Sequence, residues 1–327
     1  MKLSVRRLIV FNILLALVVI TLGALTRLLD AGLGCPDWPV CYGNIIPDAK
    51  AAEGFNLWAF DEGKAWMEMI HRYLASFLGL MILIQAVIIW PRYLGAVRYL
   101  SVFLCGWVVL QGLFGMWTVT LRLWPPVVSA HLLGGAITIG ALFLMWRVLT
   151  SHREPNWTSP WAVFALVVFL QMALGAWTSS QYAGLACPDF PTCQGNWWVE
   201  IDSRILHAPQ VKGDEYLGGI LGNHERMAIQ WTHRLGALLV LAMFFYLVFK
   251  SSSFKHNPKN NRVISFCFLF LVTQIALGIA NAIYLLPLSL ALLHNTVAML
   301  LWLSVINGLT LYEKDTEIEI TEQELLA

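Results

Sequence analysis

Four histidines, His71, His131, His233 and His294, lie within apolar stretches and form two pairs, 60 and 61 residues apart. An imidazole near hydrocarbon is costly and normally has a partner or a task. A single one reads as a hydrogen-bonded core residue. Four at matched spacing point instead to paired neutral imidazoles, as used to hold a haem iron inside a helix bundle. A structural zinc wants four close ligands, and each pair offers two. Glu68 precedes His71 by three residues, whereas Gln230 precedes His233. At that spacing both side chains share a helix face, which puts the carboxylate at the outer rim of the first histidine pocket. There it can accept a proton, orient water or stabilise a developing cation, work for which an amide is no comparable base. The plainer reading of Glu68 is an acid near a helix start, favoured by the helix dipole.

Arg72 and Arg234 follow their histidines directly, and Arg27 closes the first apolar run. A guanidinium suits a carboxylate such as a haem propionate; equally, it can simply snorkel to the membrane interface. Gln111 and Gln274 lie mid-span beside glycines and read as interhelical hydrogen-bonding residues. Cys35 and Cys41 recur as Cys187 and Cys193 in a second loop. In an oxidising compartment each pair can close a short disulfide. Such a bond is a structural staple or, exposed in a loop, a redox-labile one; metal binding is the third option. Cys105 and Cys267 sit inside spans as small core hydrophobes.

What positions these residues is a membrane. Of 327 residues, 58% are hydrophobic and 13% charged, with mean hydropathy +0.66. A soluble domain carries about 25% charged residues and cannot cover this much apolar surface. Apolar runs bounded by charge, proline or glycine place helices at 8–28, 66–90, 98–120, 126–149, 160–181, 226–249, 262–284 and 287–311. The first is too long for a signal-peptide core, has no small-residue cleavage site and is expected to be retained. Twelve of the 21 lysines and arginines fall in the terminal and short loops on one side, so both termini are expected inside and loops 29–65 and 182–225 outside. The acidic tail, 313–327, reads as a solvated end. A formal charge of +1 gives no field for nucleic acid. Fifteen tryptophans and nine tyrosines suit two membrane interfaces.

The chain is also a duplication. AGLGCPDWPVCYGN at 31–44 repeats as AGLACPDFPTCQGN at 183–196, and Leu22-Gly23-Ala24-x-Thr26 as Leu174-Gly175-Ala176-x-Thr178. Further on, Glu68-x-x-His71-Arg72 aligns with Gln230-x-x-His233-Arg234, Gln111-x-x-x-Gly115 with Gln274-x-x-x-Gly278, and His131 with His294. The expected fold is therefore all-α, with eight transmembrane helices in two pseudo-symmetric parallel four-helix bundles, 1–153 and 154–312. All four histidines should lie at similar depth near the outer side.

These motifs together resemble the heme A synthase family, over nearly the whole chain up to the tail. They are GLGCPDWPVC, Glu68-Met69-Ile70-His71-Arg72, Ser129-Ala130-His131, Gln230-Trp231-Thr232-His233-Arg234 and Leu293-His294-Asn295. The resemblance implies an inner-membrane oxidoreductase that converts the C8 methyl of haem O to a formyl group by successive hydroxylations, giving haem A for cytochrome oxidase. Position by position, His71 and His131 would hold the substrate haem, His233 and His294 a resident haem b, and Glu68 would be the essential acid. Cys35 and Cys41 would be the loop pair linked to activity; Cys187–Cys193 is a second pair where some members have none. A heme O synthase and cytochrome oxidase assembly factors are the partners it suggests. Two other readings share parts of the pattern. A dihaem cytochrome b would use the same histidines without modifying haem. A transporter would place its ionisable residues at the midplane rather than at the helix ends.

Overall fold

The computed structural model describes residues 2–55, 60–151, 155–157, 159–201, 203–208, 216–252 and 258–311. Eight helices among them are long and apolar enough to cross a membrane. They are α1 (Lys2–Leu28), α2 (Glu62–Ile89), α3 (Gly95–Thr120), α4 (Pro125–Ser151), α5 (Pro160–Ser180), α6 (Asn223–Ser252), α7 (Pro258–Ile283) and α8 (Leu288–Leu309). Even α5, with 21 residues, reaches about 31 Å, enough for a hydrocarbon core of about 30 Å. Each expected span is present. Several helices run past the expected ends: α1 includes Arg6 and Arg7, and α6 begins at Asn223. Hydropathy marks the part of a helix that sits in lipid, whereas backbone hydrogen bonding continues into the polar interface. The acidic tail lies outside the described residues.

Starts and stops follow local chemistry. The Asp61 carboxylate caps α2 by accepting from Lys64 N–H at 3.0 Å. Proline opens α4 and α5, where its missing N–H costs nothing. On the side of the two cysteine loops, the odd-numbered helices end in left-handed residues other than glycine: Asp30, Arg122-Leu123, Tyr182 and Leu285-Leu286. After α1, α3 and α7 an i→i−5 bond closes the turn, from Ala31 to Thr26, Leu123 to Thr118 and Leu286 to Asn281. These tight ends bring the last turns of one helix against the first turns of the next.

Helices α1–α4 each pack on two neighbours in a closed ring, α1 on α2, α2 on α3, α3 on α4 and α4 on α1; α5–α8 follow the same order. Between the rings, α4 meets α5 and α8, and α1 meets α8. α4 has the largest buried share of the eight spans. Trp302 of α8 closes this seam by covering Gly140 of α4 and donating to the Ala136 carbonyl at 3.0 Å; within the second ring, Trp161 of α5 covers Gly308 of α8. Outward faces carry exposed Leu14, Val87, Val109, Leu166, Leu238 and Leu269, surface that only lipid tolerates at this density.

Candidate functional site

The histidines lie about 9–15 Å along their helices from the cysteine-loop end, at 1.5 Å per residue. His71 on α2 and His131 on α4 face each other across the first ring, with ring centres 6.5 Å apart and planes at 86°. A metal–imidazole bond is about 2.0–2.1 Å, and ring bonds near 1.35 Å put a nitrogen about 1.2 Å from the ring centre. Two imidazoles sharing one ion would thus have centres about 6.4 Å apart. The observed spacing matches. His233 on α6 and His294 on α8 hold the equivalent places in the second ring and are electrostatic neighbours. No group of three or more His, Cys, Asp or Glu that could hold a metal ion is found among the described residues.

Each imidazole rests on a glycine of the preceding helix. A Cβ added to Gly23, Gly115, Gly175 or Gly278 would come within 2.9, 3.3, 3.2 or 3.3 Å of Cε1 of His71, His131, His233 or His294 respectively. The rings can approach those helices only because the side chain is missing. Nδ1 of His71, His131 and His294 is buried without a partner of hydrogen-bond geometry. Such orphaned atoms are unusual in a closed core and fit groups reserved for another ligand. Gln111 donates to the His131 carbonyl at 2.7 Å, and Gln274 contacts Nε2 of His294 at 3.0 Å, as expected of interhelical bonding residues. Gln171, not singled out from sequence, donates to the His233 carbonyl at 2.9 Å and touches its Nδ1 at 3.1 Å.

Glu68 is buried, 4% exposed, and turns to the first cysteine loop. One oxygen accepts from Cys35 N–H at 2.9 Å and the other from Arg72 at 2.5 Å. Gln230 does the same work in the second ring, accepting from Cys187 N–H at 2.7 Å and donating to the Gly184 carbonyl at 3.0 Å. Arg72 donates to the carbonyls of Asp37 and Val40, and Arg234 to those of Cys187, Asp189 and Thr192. Holding the loop carbonyls is a role that neither sequence reading of these arginines contained. Arg27 reaches across the seam to the Ser179 carbonyl at 2.5 Å, lies 3.8 Å from the Tyr182 ring centre and pairs with Asp30. Tyr182 in turn donates to Asp30 at 2.9 Å; burial pushes its phenol above the ordinary value.

Cys35–Cys41 and Cys187–Cys193 are disulfides with Cα separations of 4.8 and 4.6 Å. All four cysteines are fully buried, which corrects the picture of an exposed, labile bond: the loops fold their sulfurs onto α2 and α6, 3.8 Å from the Ala65 carbonyl and 3.9 Å from that of Met227. An aspartate rivets each loop. Asp37 accepts from Tyr42 and Gly43 N–H, both at 2.7 Å. Asp189 accepts from the Thr192 hydroxyl and from Gly195 and Gln194 N–H, which hold its carboxyl down at about 2.

Each ring thus holds a histidine pair, with a carboxylate in one latch and an amide in the other. The family model described as cytochrome oxidase assembly protein (COX15-CtaA) matches residues 6–306. A heme A synthase of Shewanella oneidensis is 39% identical over 316 residues, covering 90% of this chain and 92% of the relative. The chain belongs to the heme A synthase family. Heme A synthases of Brucella anthropi and Halalkalibacterium halodurans are 27% and 25% identical, covering 89% and 87% of this chain and 86% and 89% of those relatives.

Proposed function

We propose that this chain is the membrane oxidoreductase that oxidises the C8 methyl of haem O to a formyl group, with residues 1–153 holding the substrate and residues 154–312 a resident haem b. In this reading His71 and His131 grip the substrate iron, and His233 and His294 the resident one. Iron porphyrin fits both pockets because the porphyrin supplies four nitrogens and two imidazoles complete the set. The glycine cradles and orphaned Nδ1 atoms agree with this. The observation that carries the assignment is the single exchange of Glu68 for Gln230 inside otherwise matching latches.

The conversion takes up one water and releases four electrons and four protons, R–CH3 + H2O → R–CHO + 4 H⁺ + 4 e⁻, in successive hydroxylations. The resident haem, when bound, supplies one-electron transfer away from the substrate. Glu68 accepts protons from, or orients, the water that reaches the methyl edge. Its latch keeps it desolvated and three residues from the ligand His71. Arg27, Arg72 and Arg234 stand toward the cysteine-loop ends of their helices and are the candidates to meet a haem propionate. The membrane is the bacterial inner membrane with both termini cytoplasmic, a reading supported by the lysine and arginine bias. A heme O synthase and cytochrome oxidase assembly factors are the fitting upstream and downstream partners.

The test supplies haem O to the purified full chain with an electron acceptor and follows the pigment by mass spectrometry. The product should gain one oxygen and lose two hydrogens in wild type and not in His131→Ala. Unchanged haem O in the wild type, with both pockets filled, contradicts the proposal.

A further inference from the structure

The four histidine sites are built alike from a helix hairpin, yet one lacks a part. Four residues before each cradle glycine stand Gln111, Gln171 and Gln274, but Val19 before Gly23. Gln171 and Gln274 touch the imidazoles of His233 and His294, Gln111 donates to the backbone carbonyl of His131, and each amide keeps a buried side-chain oxygen without a partner. A hydrogen-bonding side chain beside a ligating imidazole is what fixes its ring orientation. The carbonyl of the same residue, Val19, Gln111 or Gln274, lies near the ring in three sites, so that backbone neighbour does not tell them apart; the amide does. Valine offers neither donor nor acceptor. A second position varies among the sites. Three residues after His131 and His233 stand Gly134 and Gly236, whose missing Cβ makes room for Gln111 and Gln171 oxygens within 1.9 and 2.1 Å of that point. After His71 the same place holds Leu74, and after His294 it holds Val297, beside which Gln274 still reaches its histidine. The first site is therefore the one that lacks the amide.

We propose that His71 is the releasable iron ligand of this protein, through which substrate porphyrin enters and product leaves. His131, His233 and His294 are held by Gln111, Gln171 and Gln274 as positioning residues. This rests on the reading that the first pocket takes the substrate. A resident cofactor needs two fixed ligands, whereas a substrate that must depart needs one ligand that lets go. The loss falls in the pocket that also carries Glu68.

The experiment loads the full chain in nanodiscs with haem and follows transfer to excess apomyoglobin, together with the low-spin spectrum of the six-coordinate iron. Wild type should lose its haem in a fast and a slow phase, the fast one absent from His131→Ala. Val19→Gln/Leu74→Gly, which rebuilds the missing amide and its space, should slow the fast phase about 10–100-fold, the usual weight of an outer partner of a metal ligand. Gln171→Val should speed the slow phase by a similar factor, and Gln171→Asn should partly restore it; this arm stands even where the double variant does not fold. Equal release from both pockets, or an unaltered slow phase in Gln171→Val with low-spin haem still in place, overturns the proposal. A first pocket that takes no haem at all overturns the substrate reading itself, and this inference with it.

Discussion

Glu68→Gln removes one negative charge and leaves the latch a working copy elsewhere in the same molecule. Gln230 accepts from Cys187 N–H at 2.7 Å and donates to Gly184; by the repeat, a glutamine at 68 can accept from Cys35 N–H and donate to Gly32. What is lost is the charged bond to Arg72, worth about 1.5–3 kcal/mol, less about 0.5–1.5 kcal/mol for the new amide bond. Arg72 is not stranded, because it keeps the carbonyls of Asp37 and Val40, just as Arg234 sits beside an amide with its own loop carbonyls. The net cost to stability is about 1 kcal/mol. Loss of a general base costs about 10²–10⁴ in rate, or about 2.7–5.5 kcal/mol of barrier. The two effects are far enough apart to separate. Conversion of haem O should fall by at least a hundredfold, while pigment content and thermal unfolding stay near those of wild type. Normal conversion removes Glu68 from the chemistry. Pigment lost in step with activity makes its role structural.

Gly23→Ala puts a methyl 2.9 Å from Cε1 of His71, so the ring must shift; haem affinity of the first pocket should drop at least about tenfold. Gly79→Ala on the facing helix meets nothing within 4 Å and should leave the titration unchanged. Asp189 gives a pH signature. Its carboxyl is held at about 2 in the folded loop against about 3.9 when unfolded, so the stability it contributes is present above about pH 4 and disappears as pH falls through about 2. Reduction of Cys187–Cys193 by an acid-tolerant phosphine should accelerate over that window, and Asp189→Asn should lack the acid step.

How much of this was legible in the sequence depends on the kind of signal. The spans are, because a bilayer demands long apolar runs, and the duplicated motifs mark the histidines. Helix ends were less so, since α1 and α6 continue into charged sequence that hydropathy does not score as membrane. The cradle glycines were visible as repeated letters, at 22–26, 174–178, 111–115 and 274–278, but their use was not: a missing Cβ acquires meaning only when the ring it admits is seen. Gln171 lies outside the stretches that align between the halves, although the spacing Gln-x-x-x-Gly recurs there. Burial of the disulfides and the use of Arg72 and Arg234 to hold loop carbonyls are contacts between segments more than 30 residues apart, which no local pattern encodes.

The central claim, that two imidazole pairs hold two iron porphyrins of different fate, is tested most directly by extracting pigment and identifying it by mass in wild type, His71→Ala/His131→Ala and His233→Ala/His294→Ala. The account predicts haem O or haem A lost from the first double variant and haem B lost from the second. A colourless wild type, or haem B alone in both pockets, contradicts it.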